Sequence, residues 1–127
     1  MTSFDWNDYL TLAEYLSENR AATGVPEAAL RSAVSRAYYY AYGQGWRWAT
    51  QQSPQPFVPQ HRGADHGAFR SWLRSRSLNG AAQILERLHN WRIVCDYRDV
   101  DSPQLAAACP FVLRQARAFL RMLGVTR

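Results

Sequence analysis

The sequence of 127 residues contains no lysine and only two cysteines, Cys95 and Cys109. Two cysteines are too few for a disulfide-stabilised scaffold, and both fall on apolar helical stripes, so we expect reduced thiols in a protein core. No apolar run approaches the ~18 residues that a membrane-spanning segment needs. The N-terminus is acidic and aromatic, unlike the basic start of a signal peptide. These absences predict a cytoplasmic protein that does not enter a membrane.

Most catalytic signatures are missing as well. There is no P-loop and no dinucleotide-binding fingerprint. The three histidines, His61, His66 and His89, are not joined in the sequence by an acidic or thiol cluster, so we predict no metal site and no cofactor. Ser35 and Ser71 have no supporting base for a serine triad.

Positive charge is present in quantity and is unevenly distributed. All fifteen basic residues are arginine, and only one of them lies within residues 1–30, where five of the ten acids are found. Arginine suits phosphate because its planar fork donates paired hydrogen bonds. A basic surface for RNA or a nucleotide is one interpretation, and a solvated face is the other. On net charge alone, the solvated face is the preferred interpretation.

Apolar residues recur at helical spacing in five segments, and no segment alternates as a strand does. We predict helices at about residues 4–19, 26–50, 64–74, 79–97 and 103–123. The segment at about 51–63 contains three prolines and is predicted to be a loop. Pro110 is expected to bend or interrupt the last helix. The chain is therefore predicted to be one all-α domain, residues 1–127, built as a bundle of about five helices.

The second predicted helix is the centre of the bundle. It carries three consecutive tyrosines, Tyr38, Tyr39 and Tyr40. Consecutive residues point about 100° apart on a helix, so this helix is expected to pack on several sides. By its spacing from Arg36 and Arg47, Tyr40 is expected on the most exposed side.

Arg92 interrupts an apolar stripe of the fourth helix that contains Leu85, Leu88 and Cys95. A buried charge needs a partner, and Asp96 lies one helical turn further on. Alternatively, the guanidinium reaches from the edge of the stripe into solvent. A structural ion pair and a functional cationic site are both open from the residues alone.

Four short motifs occur in an order that resembles the HEPN superfamily, over roughly residues 5–123. They are SRAYY at Ser35–Tyr39, His66–Gly67 at the head of a short helix, RIVCDY at Arg92–Tyr97, and SPQLA at the start of the last helix. The closest similarity is to small stand-alone members with SRxYY and RxxxDY motifs. The resemblance implies a helical bundle, commonly a homodimer, in prokaryotic toxin–antitoxin, CRISPR and other defence systems, some members being partners of nucleotidyltransferases. Many members are metal-independent ribonucleases whose motif places histidine after the arginine.

This chain departs from that motif because no histidine follows Arg92, and Tyr97 lies nearest to the expected position. Histidine exchanges protons near neutral pH, whereas tyrosine ordinarily titrates near pH ~10. We therefore predict a protein that binds RNA or a nucleotide without efficient ribonuclease activity. The predicted binding residues are Ser35, Arg36, Tyr39, Arg92, Asp96 and Tyr97.

Two alternatives to this prediction stay open. In the first, the chain is a metal-independent ribonuclease toxin with Arg92 and Tyr97 as its catalytic residues. In the second, it is a structural subunit of a defence or CRISPR-associated complex, and the polar residues only connect helices. Accessibility separates them: an open Arg92 favours ligand binding, and full burial with Asp96 favours the structural role.

Overall fold

The computed structural model describes residues 4–99 and 102–125. This part of the chain is helical and contains no strand, which confirms the all-α prediction. The helices are α1 (Asn7–Glu18), α2 (Pro26–Ala49), α3 (Asp65–Ser75), α4 (Asn79–Tyr97) and α5 (Ser102–Met122), with a 3-10 helix at Arg20–Thr23. The predicted bounds of α2 to α5 agree with these to within one residue at each end.

Helix α1 begins three residues later than predicted. The backbone N–H of Asn7 donates to the carboxylate of Asp5 at 2.9 Å, so Asp5 satisfies a free donor at the first turn. The 3-10 turn after α1 was not predicted. It ends at Gly24, whose φ of 77° lies in the left-handed region that glycine adopts readily.

Helix α2 is central, as predicted, and packs against α1, α4 and α5. Its glycines permit two close approaches. A Cβ at Gly43 would overlap the indole of Trp6, and a Cβ at Gly45 would lie 2.7 Å from the ring of Phe119. The helix is assigned as one element through both positions. These glycines therefore let neighbouring aromatic rings lie directly on the helix backbone.

Tyr40 does not lie on an exposed face. It is only 2% exposed and belongs to the hydrophobic core, so the expectation from its spacing to Arg36 and Arg47 is wrong. The α1–α2 and α2–α5 contacts cover the side of α2 that carries Tyr40. A helix enclosed on several sides has no single exposed stripe that periodicity could identify.

Pro110 does not interrupt α5, which is one helix from Ser102 to Met122. Proline removes the N–H that would bond to the carbonyl of Ala106. The buried face of α5 continues past this position through Cys109, Val112 and Ala116, and this burial outweighs the loss of one hydrogen bond.

Cys95 and Cys109 are buried free thiols, as predicted. Among the described residues, no helix is both long and apolar enough to cross a membrane.

The connection between α2 and α3 packs on the bundle through one aromatic anchor. Phe57 is buried, with its ring 5.2 Å from that of Phe69. The backbone N–H of Phe57 donates to the carbonyl of Ala49, and the indole N–H of Trp72 donates to the carbonyl of Gln55. This anchored loop determines where α3 begins.

Candidate anion-binding site

Three of the predicted site residues meet where α2 crosses α4. The carboxylate oxygen Oδ2 of Asp96 lies 3.2 Å from Nε of Arg92 and accepts a hydrogen bond from the Ser35 hydroxyl at 3.2 Å. Ser35 is buried, so its hydroxyl connects the two helices inside the fold. The C-terminal carbonyls of α4 are also tied to α2, because Arg31 donates to the carbonyls of Cys95 and Arg98. Arg31 was not among the predicted residues.

The other three predicted residues surround this contact. Nη2 of Arg36 donates to the Ser35 hydroxyl at 3.3 Å, and its guanidinium lies 5.4 Å from the Tyr39 ring centre. The Arg92 guanidinium lies 5.4 Å from the ring of Tyr39 and 5.6 Å from the ring of Tyr97. Tyr97 is 72% exposed. The structure thus brings all six predicted residues into one patch.

The exposure of Arg92 lies between the open side chain expected for ligand binding and the full burial with Asp96 expected for a structural role. The side chain of Arg92 is 18% exposed and that of Asp96 is 28% exposed. The ion pair is therefore neither fully buried nor open. The pair connects α2 to α4 through Ser35.

Three residues that sequence reasoning left out complete the patch. His66 and His89 face each other with ring centres 5.1 Å apart, although they come from α3 and α4. Arg70 follows His66 by one turn of α3, and Arg92 follows His89 by three residues of α4. The i, i+4 and i, i+3 spacings were visible in the sequence, but only the packing of α3 on α4 shows that the two pairs converge.

The tyrosines of α2 orient His66. Burial raises the pKa of Tyr38 far above its usual value, so its hydroxyl keeps its proton. This hydroxyl and Nδ1 of His66 share a hydrogen bond in which the tautomer of the imidazole decides which group donates. Tyr42 stacks on the same ring at a centroid distance of 4.5 Å. His66 is thus held in one orientation.

Both imidazoles are neutral near pH 7. Burial lowers the pKa of His66, and the charges of Arg92 and Arg70 lower it further, against a smaller opposite effect of Asp65. Burial, followed by Arg70, His66 and Arg92, lowers the pKa of His89 to about 4. Two arginine charges therefore act on both rings, and this positive field disfavours a further cation.

Most of the nearby carboxylates bind groups other than the arginines and histidines of the patch. Asp65 is buried and accepts backbone hydrogen bonds from Gln60 and His61. Burial alone would raise the pKa of Asp65, but these N–H donors lower it, so the carboxylate stays charged and holds the loop at the start of α3. Glu86 pairs with Arg74 at 3.2 Å. Asp96 is the carboxylate that contacts Arg92.

Two guanidinium nitrogen atoms in the patch lack a hydrogen-bond acceptor. They are Nη1 of Arg70 and Nε of Arg92, both buried, and the second lies near Asp96 without an aligned hydrogen bond. Buried polar groups are normally paired, because an unpaired one costs about 1–3 kcal/mol. Two arginine charges beside two neutral imidazoles form a positively charged arrangement whose donors suit an anion. We call Arg70, Arg92, His66 and His89 the Arg–His cluster.

Space for a ligand is found beside His66. A cavity of about 320 Å³ is lined by Tyr42, Trp46, Arg62 and His66, among others. A larger cavity of about 580 Å³ lies on the opposite flank of α4, around Trp91. The smaller cavity is lined by His66 of the patch, and neither cavity is lined by Arg70, Arg92 or His89. Within the described part of the chain, no group of three metal-ligating side chains comes together.

Comparison of the chain with protein-family models, with curated protein sequences and with solved structures found no match. The HEPN resemblance consequently rests on the motifs themselves, and it stays a prediction.

Proposed function

We propose that this protein is a HEPN-like cytoplasmic protein that binds the phosphate of RNA or of a nucleotide through the Arg–His cluster. The observation that carries the proposal is the convergence of the Arg70 and Arg92 charges on His66 and His89, with Nη1 of Arg70 lacking an acceptor. Phosphate oxygens are strong acceptors for such donors, and a charge-assisted pair is stronger than a neutral hydrogen bond. The aromatic side chains Tyr39, Tyr42 and Trp46 supply faces on which a base can stack.

The wider context follows from the resemblance. The SRAYY motif on α2 and the RIVCDY motif on α4 contact each other through Ser35 and Asp96, which supports treating them as one site. In this proposal the protein acts in a prokaryotic defence or toxin–antitoxin system. A nucleotidyltransferase or a CRISPR complex is the proposed partner.

Binding is tested with fluorescent single-stranded RNA at low and high salt. We expect weak binding by wild type that falls as salt rises, because phosphate contacts release counterions. Arg70→Gln and Arg92→Gln should each weaken binding by about tenfold or more. Arg114→Gln is the matched control, since it removes the same charge from an exposed position on α5.

The pattern across these variants is decisive. Equal losses in all three variants would indicate that RNA binds the basic surface as a whole. No binding by folded wild type would favour the alternative in which the polar residues of α2 and α4 only connect helices.

A metal-independent ribonuclease is the second candidate, and one observation favours it. Arg92 acts electrostatically on both His66 and His89, so the absence of a histidine after Arg92 in the sequence does not by itself exclude cleavage. Neutral His66 lines the cavity, and in the tautomer with its proton on Nδ1 it can accept a proton from a ribose hydroxyl at Nε2. Arg92 would hold the phosphate.

Cleavage is tested with labelled RNA in the presence of EDTA. The ribonuclease candidate predicts products with wild type and a loss of about 10²–10⁴-fold with His66→Gln, the range that general acid–base catalysis contributes. Tyr97→Phe tests the earlier assignment of a catalytic tyrosine and should leave the rate unchanged. Intact RNA after long incubation with wild type would refute the ribonuclease candidate and leave RNA or nucleotide binding as the proposed function.

We also propose that the protein is a homodimer, as the resemblance implies. Eight described aromatic or apolar side chains are exposed, and the four with the largest exposed fractions are Tyr15, Val25, Val58 and Tyr97, which is consistent with a further contact. Light scattering should give twice the chain mass of 14.6 kDa at micromolar concentration. A mass of one chain would remove this proposal without affecting the phosphate site.

A further inference from the structure

The cavity beside His66 has aromatic walls. Trp6, at the N-terminal end of α1, lines it together with Tyr42 and Trp46 of α2. Its volume of about 320 Å³ lies at the lower end of the range of roughly 300–1,000 Å³ that small-molecule sites cover. A cavity of this size and lining suits a single aromatic ring system better than a long chain.

Packing holds the Trp6 wall in place. The Trp6 indole lies directly on the backbone of α2, since a Cβ at Gly43 would overlap it. Its ring centre is also 5.1 Å from that of Phe4 and 5.7 Å from that of Tyr9. This wall is therefore formed before any ligand arrives, which lowers the entropic cost of binding.

The loop before α3 forms another wall, with His61, Arg62 and Gly63. Asp65 holds this loop, because Oδ1 accepts from the backbone N–H of Gln60 at 3.0 Å and Oδ2 accepts from that of His61 at 2.8 Å. His61 has a φ of 59°, in the left-handed region that is uncommon for residues other than glycine. Such conformations persist where the surroundings impose them, and they cluster at ligand sites.

The charges at this cavity favour a neutral ring. Apart from two histidines, the charged residues that line it are Arg62 and Asp65, whose charges cancel. A bound cation would need a carboxylate, but both oxygens of Asp65 already accept backbone hydrogen bonds. The Arg62 guanidinium can donate to acceptors on the edge of a base.

His66 connects this cavity to the Arg–His cluster. It lines the cavity, and its ring centre lies 5.1 Å from that of His89. A ring in the cavity and a phosphate at the cluster would therefore be neighbours, as a base and a phosphate are within one nucleotide. Proteins that bind single strands commonly combine positive charge for the backbone with aromatic faces for the bases.

Trp46 is the wall that is left for stacking. Tyr42 already stacks on His66 at 4.5 Å, and Trp6 lies on the backbone at Gly43. Among the described residues, no aromatic ring stacks on Trp46. On the basis of the proposed function, which puts the phosphate at the Arg–His cluster, we propose that this cavity binds one unstacked nucleobase of the ligand, with Trp46 as its stacking face.

Three ligands separate the base from the phosphate. They are tetra-adenylate, an abasic tetramer with the same backbone and charge, and adenosine monophosphate. Isothermal titration calorimetry measures their affinities, and quenching of tryptophan fluorescence reports stacking on an indole. We expect tetra-adenylate to bind at least about fivefold more tightly than the abasic tetramer and to quench the fluorescence. Adenosine monophosphate that binds as tightly as tetra-adenylate would identify a free nucleotide as the ligand, and weaker binding would identify RNA.

Variants assign the effect to this cavity. Trp46→Leu should remove the preference for tetra-adenylate and most of the quenching, whereas Trp46→Phe, which keeps an aromatic face, should retain most of the preference. Trp91→Leu is the matched control, because Trp91 is also partly buried against the core but lines the larger cavity. The comparison of the two tetramers on wild type needs no variant, so it tests the inference even if Trp46→Leu fails to fold.

Two results would overturn the inference while phosphate binding stands. One is an equal affinity of wild type for tetra-adenylate and the abasic tetramer. The other is a preference for tetra-adenylate that is lost in Trp91→Leu and kept in Trp46→Leu, which would identify the larger cavity as the base site. Absence of binding by all three ligands would refute the proposed function and the inference with it.

Discussion

Replacing Arg70 with methionine should stabilise the free protein while it destroys the anion site. Nη1 of Arg70 is buried without a hydrogen-bond partner, and its charge disfavours protonation of His66 and His89. An unpaired buried donor costs about 1–3 kcal/mol, and methionine keeps a flexible chain of similar length in the same space. Since Arg70 is partly exposed, we expect a gain near the lower end, about 1 kcal/mol in the free energy of unfolding.

Thermal unfolding followed by circular dichroism, in phosphate-free buffer, measures this effect. A gain of about 1 kcal/mol corresponds to a Tm increase of about 3–5 °C for a domain of this size. Arg74→Met is the matched control on the same helix. Arg74 is exposed and paired with Glu86, so its loss should change stability by at most about 0.5 kcal/mol.

The ligand response completes the test. Single-stranded RNA should raise the Tm of wild type, because a ligand that binds only the folded state stabilises it, and should leave the Tm of Arg70→Met unchanged. A Tm of Arg70→Met that falls by about 3 °C or more would refute the reasoning. It would mean that the guanidinium makes stabilising contacts in the free protein that outweigh its unpaired nitrogen.

Three further predictions concern stability. Arg92→Ala should lower the free energy of unfolding by about 1–2 kcal/mol, as measured by chemical denaturation. This value lies between those of exposed and buried ion pairs, because the carboxylate of Asp96 is partly exposed. An unchanged denaturation midpoint would contradict a stabilising ion pair. Gly43→Ala should cost about 1–3 kcal/mol since the new Cβ overlaps Trp6, whereas Gly67→Ala, which has room, should be neutral or slightly stabilising in the same assay. His89 has a lowered pKa in the folded state, so the unfolded chain binds more protons and stability should fall as pH decreases from about 6.5 to about 4. His89→Gln should flatten that pH dependence in urea titrations, and a variant with the wild-type slope would contradict it.

The sequence by itself was sufficient for the helices. Apolar periodicity, proline and glycine placed α2 to α5 to within one residue, because each of these helices has a continuous apolar face and a clear start or stop signal. Local signals failed where tertiary contacts decided the outcome. Tyr40 is buried because α2 is enclosed on several sides, and Pro110 is accepted in α5 because its neighbours are buried.

Within the site, the sequence predicted the contact between residues of one helix but not the contacts between residues of different helices. The contact between Arg92 and Asp96 follows from i, i+4 spacing, which a helix imposes locally. That His66 lies against His89, and that Arg70 and Arg92 act on both rings, depends on how α3 packs against α4. Helix packing brings together residues that are far apart in the chain, and no local sequence pattern encodes which of them come into contact. The placement of the two histidines near Arg92 was therefore decided by the tertiary structure alone.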